Sequence, residues 1–189
     1  MQAAAGASLT PEGHVGDDAA ASRPPRRRVM LFGVVALVGW LTDVVTKVVA
    51  VDALTGRAPL SVIPGVLDLT LTRNAGAAFS IATSLTAVLT VAALGVVLVL
   101  GWLAPRIRSR VWAVALGLLL GGALGNLTDR LLREPGPFRG HVVDFLRLPN
   151  WPVFNFADSC IVVAAVLIAV QSVRAVGLDG RRARDDQPT

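Results

Sequence analysis

Hydrolysing a peptide bond with water calls for two acids in different states. One is ionised and takes a proton from the water; the other is protonated, stabilises the carbonyl oxygen and later donates. Two aspartates about 3 Å apart reach that division unaided, because like charges so close cannot both ionise and the pair shares one proton. This sequence offers residues for such a site in five separate segments: Asp43 with Lys47; Asn74 with Gly76; Asn126, Asp129 and Arg130; Asp144; and Asn155 with Asp158. Other chemistries find less material. The lone Cys160 excludes an internal disulfide framework, and two histidines, His14 and His141, are too few for a histidine-built metal site. Neither a metal nor a cofactor is expected.

The elements that must position these residues are membrane helices. Of 189 residues 53% are hydrophobic and only 16% charged, with a mean hydropathy of +0.62, far from the roughly 25% charge of soluble domains. The net charge of +5 does not point to nucleic acid, since the basic residues form short clusters between apolar blocks without aromatic interleaving. Four helices are expected, at about 29–51, 81–103, 111–132 and 156–176. The first is too long for the apolar region of a cleaved secretory signal. In the third and fourth, the purely apolar parts, Val111–Leu124 and Ile161–Val173, fall short of the roughly 20 residues a bilayer needs. Their polar flanks, Gly125–Arg130 and Phe154–Ser159, must therefore complete the spans and lie at membrane depth. Together 29–176 reads as one all-α membrane domain, with disordered cytoplasmic tails at 1–28 and 177–189.

Arginines before the first helix, between the second and third, and after the fourth place that side, and both termini, in the cytoplasm. Asp43, Lys47, Asn126, Asp129, Arg130, Asn155 and Asp158 then all reach the outer face, where the segments 52–80 and 133–155 add Asn74 and Asp144. In the first outer segment Leu67, Leu69 and Leu71 alternate with Asp68, Thr70 and Thr72, the period of a half-buried strand. With Leu60–Ile63 across the Pro64-Gly65 turn it forms a small extracytoplasmic β-element at the membrane surface, able to hold an extended peptide by edge pairing. Trp40, Trp102, Trp112 and Trp151 read as interface anchors near helix ends, and Asp43 with Lys47, one turn apart, as an ion pair.

Singly, each polar motif has an ordinary explanation. Asp129 with Arg130 is an ion pair closing a helix, Asp158 a carboxylate complementing a helix dipole, Asp144 a loop acid, and Asn74-Ala75-Gly76 a turn. Gly121, Gly122 and Gly125 read as close helix packing. Charged groups at membrane depth are costly, by roughly 2.5 to 3.5 kcal/mol each, and are by default paired or functional. It is their joint placement at one membrane face that speaks for a site.

The strings Asp43-x-x-Thr46-Lys47, Asn74 to Ser80, Gly121 to Arg130, Val142-Val143-Asp144-Phe145 and Phe154 to Ser159, in this order over about residues 29 to 176, together resemble lipoprotein signal peptidase. The resemblance implies a bacterial inner-membrane aspartic endopeptidase that removes the signal peptide of prolipoproteins, cutting before the diacylglyceryl-modified cysteine. It makes Asp144 and Asp158 the catalytic pair and has Asn74, Asn126, Arg130 and Asn155 line the substrate groove. Asp129 orients the site, with Arg130 as its counter-ion or as a donor to substrate carbonyls. The stretch Leu131–Arg139 is longer than in shorter members of the family. The expected partners are a lipid-modified prolipoprotein and membrane lipids, with no nucleic acid, and the enzyme is expected to be a monomer. Two rival functions remain: a peptidase with a Ser/Lys dyad, Lys47 with Ser80 or Ser159, and a small proton- or ion-coupled transporter, whose acids would sit nearer mid-bilayer.

Overall fold

The computed structural model describes residues 28–76 and 82–182. The chain up to Arg27, residues 77–81 with Ser80, and residues 183–189 lie outside the described residues, so the expectation of disordered ends there is not addressed. Four helices dominate: α1 (Val29–Leu54), α2 (Ala82–Leu103), α3 (Arg110–Leu132) and α4 (Phe156–Val173), of 26, 22, 23 and 18 residues. At 1.5 Å per residue they run about 27 to 39 Å, enough for a hydrocarbon core of about 30 Å. All four are long and apolar enough to cross a membrane. Their outward faces are apolar too: Val45, Val48 and Val49 of α1, Val91 and Leu98 of α2, and Val162 and Val166 of α4 are exposed. Lipid, not water, makes such a surface favourable.

Helix α3 is the central post, packed against α1, α2 and α4. Two neighbouring glycines make this possible by facing different partners. A methyl group at Gly121 would stand 2.8 Å from the Ala36 carbonyl oxygen of α1, and one at Gly122 would stand 2.6 Å from the Ala157 carbonyl oxygen of α4. Small residues thus bring both helices to backbone contact, as the sequence suggests. At the end of the bundle where α2 leads into α3, Phe32, Leu100, Ala104, Ile107, Ala113 and Leu116 form a buried cluster.

At the other end a three-stranded antiparallel sheet, ordered β1 (Leu60–Ile63), β2 (Leu67–Asn74), β3 (Val142–Arg147), sits on the top of α1. The expected hairpin is present, with Gly65 at φ +74° supplying the turn. Ala50, Leu54, Val143 and Phe145 are buried there with Leu69 and Leu71 packed against them, and α1 continues to Leu54 to meet them. Strand β3 was not foreseen. Its first four residues are all buried, so it lacks the alternation that reveals a half-exposed strand. Beyond β3 the chain doubles back, and Phe154 exchanges backbone hydrogen bonds with Leu146 at 2.8 and 2.9 Å. That return delivers Asn155 and the start of α4 beside Asp144.

Two expectations need correction. Residues 177–182 do not trail away: α4 ends at Val173, Ala175 turns at φ 51°, and the Leu178 carbonyl accepts from the backbone N–H groups of Arg108 and Ser109. Trp112 Nε1 adds a bond to the Val176 carbonyl at 3.0 Å, and Leu178 packs on the buried cluster of Phe32, Ile107 and Leu116, which draws this segment back. Trp40 lies mid-helix, donating to Thr128 Oγ1 at 2.9 Å, and so is an interhelical tie instead of an interface anchor.

Candidate active site

Helix α1 contributes Asp43 and Lys47, which the one-turn spacing stacks on the same face. Both are almost wholly buried, at 0% and 1% exposed, and their ion pair is 2.7 Å long. An ammonium so buried needs all its protons satisfied. Lys47 Nζ achieves this with two groups from α3, Asp129 Oδ2 at 2.9 Å and Asn126 Oδ1 at 2.9 Å. The carboxylate of Asp43 occupies space that any side chain at Gly125 would claim.

Asp129 does not pair with Arg130 as expected. Consecutive helical residues point about 100° apart, and Asp129 instead holds Lys47, Arg133 one turn along, and the backbone N–H of Val143 at 3.1 Å. Arg133 is a member of this network that the sequence reading missed, although its i, i+4 spacing from Asp129 was a usable signal. Arg130 points elsewhere, and its Nη1 is buried without a hydrogen-bond partner among the described residues.

Asp144 lies on β3 directly opposite Thr72 of β2. Asn74, at the end of β2, donates from Nδ2 to Asp144 Oδ2 at 3.0 Å. The side-chain oxygen of Asn74 accepts from Gly76 N at 2.8 Å, a local turn that uses φ +102° at Gly76, a conformation open to glycine. Asn155 Nδ2 donates to Asp144 Oδ1 at 2.6 Å. Burial pushes the Asp144 carboxyl up to about 6, beyond what the Asn74 and Asn155 hydrogen bonds and the Lys47 charge pull down, and the Asp158 charge adds to the rise.

Asp158 occupies the first turn of α4 in a reciprocal cap with Asn155. The Asn155 side-chain oxygen accepts from Asp158 N at 2.9 Å, while Asp158 Oδ2 accepts from Asn155 N at 3.1 Å. Asn126 Nδ2 donates to Asp158 Oδ1 at 2.8 Å, and Asn155 Nδ2 also reaches Asn126 Oδ1 at 3.1 Å. A single residue, Asn155, thereby touches both carboxyls.

A cavity of about 710 Å³ opens beside this cluster, with Asn74, Gly76, Leu89, Arg130, Asp144 and Val153 among its walls. Of the four residues expected to line a groove, Asn74 and Arg130 do so. Asn126 and Asn155 are not among its walls; their amides are spent on each other and on the acids. The rival Ser/Lys dyad finds no support among the described residues. Lys47 is engaged by two carboxylates and an amide, and Ser159 Oγ donates to the Asn155 carbonyl at 3.1 Å. Ser80 lies outside the described residues.

Comparisons with known proteins agree with this picture. The sequence model of the family described as signal peptidase (SPase) II matches residues 35–174. A lipoprotein signal peptidase from Mycobacterium avium is 50% identical over 179 residues, covering 94% of this chain and 98% of the relative. One from Mycobacterium tuberculosis H37Rv is 51% identical over 167 residues, covering 87% and 82%. Among solved structures, a bacterial membrane enzyme determined by the in meso method at 1.9 Å superposes with a TM-score of 0.70 at 27% identity, covering 80% of this chain and 97% of that one.

Proposed function

Because this chain belongs to the signal peptidase II family, and is therefore a peptidase of lipoprotein processing, we propose that it cleaves diacylglyceryl-modified prolipoproteins just before the lipidated cysteine, using water activated between Asp144 and Asp158. The observation that carries this reading is the bridging role of Asn155, which hydrogen-bonds both carboxyls. Two acids from distant segments, Asp144 on a strand and Asp158 on a helix, are held by one residue, the first by its side-chain amide and the second by its backbone N–H.

In this mechanism Asp144 holds the shared proton, consistent with its carboxyl being pushed up to about 6, and Asp158 is the base. Water attacks the scissile carbonyl carbon and gives a proton to Asp158, while Asp144 donates to the carbonyl oxygen, leaving a neutral gem-diol. As the C–N bond breaks, Asp158 returns its proton to the departing nitrogen and Asp144 recovers one from the gem-diol. The products are the signal-peptide carboxylic acid and the amine of a new amino-terminal cysteine, which pass one proton between them to end as carboxylate and ammonium. Arg130, with Nη1 at the cavity wall and without a hydrogen-bond partner among the described residues, supplies a donor to a substrate carbonyl. The substrate reaches this depth laterally, since its lipid anchor keeps the scissile bond near the outer membrane surface. Inner-membrane residence and a monomeric enzyme belong to the same proposal, as do cytoplasmic termini and an extracytoplasmic site, which the arginine-rich opposite end supports.

The test is cleavage of a diacylglyceryl-modified prolipoprotein peptide by the purified protein. Asp144→Asn and Asp158→Asn should each reduce turnover by about 10³-fold or more, as loss of a group acting in a unit does, while Ser159→Ala and added chelator leave it intact. Turnover surviving in either aspartate variant would refute the dyad.

A further inference from the structure

Two carboxylates outside the proposed dyad grip the backbone immediately before each of its members. Asp43 Oδ1 accepts from the N–H of Ala157, the residue preceding Asp158, at 2.8 Å. Asp129 Oδ2 accepts from the N–H of Val143, the residue preceding Asp144, at 3.1 Å. Lys47 Nζ joins the two grips, 2.7 Å from Asp43 and 2.9 Å from Asp129, and through Asn126 it reaches Asp158 directly. We infer that Lys47 is a positioning residue that sets the separation of the Asp144 and Asp158 carboxyls by clasping the two carboxylates that hold their backbones.

Neutralising buried charge does not require this arrangement. A buried ion pair can often be replaced by well-packed apolar residues without loss of stability, and either carboxylate alone would balance the charge of the ammonium. What an apolar substitute cannot reproduce is a rigid link from α1 to β3 and to the first turn of α4 at once. Those two elements have no other common tie on α1 of this kind among the described residues. The dyad needs its carboxyls held to a fraction of an ångström, and a misplacement of about 1 Å costs on the order of 10²-fold in rate.

The inference rests on the dyad reading, so the aspartate variants are measured alongside: turnover in Asp144→Asn or Asp158→Asn would overturn that reading itself. With the dyad upheld, Lys47→Met in the full-length protein should lower kcat about 100-fold while KM for the lipidated peptide stays within about threefold. Lys47→Arg keeps the charge but presents a planar fork where three acceptors converge on one nitrogen. It should recover folding and only part of kcat, with the alkaline limb of its kcat profile displaced. That limb reports Asp144 among the charges facing it, Asp158 from α4, Lys47 from α1 and Arg130 from α3. A merely structural lysine predicts a smaller folded fraction with kcat per folded enzyme and the pH limb unchanged. That result, in whichever of the two variants folds, overturns the inference.

Discussion

Asn155 is wholly buried and spends its side-chain amide and its N–H on the site: its side chain holds Asp144, Asn126 and the Asp158 backbone, and its own N–H holds the Asp158 carboxylate. Asn155→Ala should therefore fail twice. Loss of the helix cap costs about 1 kcal/mol of stability, visible as a lowered Tm, and loss of the bridge lowers kcat by about 100-fold in the protein that remains folded. Asn74 gives a separate handle on protonation. Asp144 must keep its proton to serve as the acid, so activity should fall as pH rises past about 6. The Asn74 hydrogen bond favours the ionised form and pulls that value down; Asn74→Ala should move the alkaline limb to higher pH. A pH–rate profile of the variant checks it, and a limb moving the other way would contradict the assignment of the proton to Asp144.

At the scale of elements, the site depends on how closely α3 approaches its neighbours. Gly122 meets the Ala157 carbonyl oxygen, one residue from Asp158, so a methyl there must push the first turn of α4 outward. Gly122→Ala should cost about 1 to 3 kcal/mol, the usual range for overpacking, and reduce activity beyond what the lost stability explains. Gly95 on α2 has open space where a Cβ would stand, and Gly95→Ala should be tolerated in both respects. Thermal unfolding in detergent and turnover of the same samples distinguish the two. The sheet matters in the same way: β3 brings Asp144 to Asn74, and the Phe154–Leu146 pairing brings Asn155 to Asp144.

For the whole molecule, the polar network gathers at one end of the helices and the arginine-bearing links and folded-back residues 175–182 at the other. If the first end faces away from the cytoplasm, a cysteine placed at Asn150 should react with a membrane-impermeant thiol reagent in intact cells, whereas one at Arg181 should react only after permeabilisation. The native Cys160 is 5% exposed, which keeps the background low. The opposite labelling pattern would invert the proposed topology.

Local pattern by itself determined a good deal of this protein. Apolar run length announced four spanning helices, the shortfall of two of those runs placed Asn126, Asp129, Asn155 and Asp158 at membrane depth, and the alternation in Leu67–Leu71 marked β2. These follow from properties repeated along a few turns of chain, and such properties survive in one dimension. Tertiary structure decided the partners. Asp129 neighbours Arg130 in sequence yet pairs with Lys47 and Arg133; Asn126 and Asn155, expected in a groove, stand behind the acids; and β3, buried on both faces, carries no period to betray it. The reason is physical: a hydrogen bond or ion pair is decided by direction and distance within about an ångström, and those are set only when α1, α3, the sheet and α4 close upon one another.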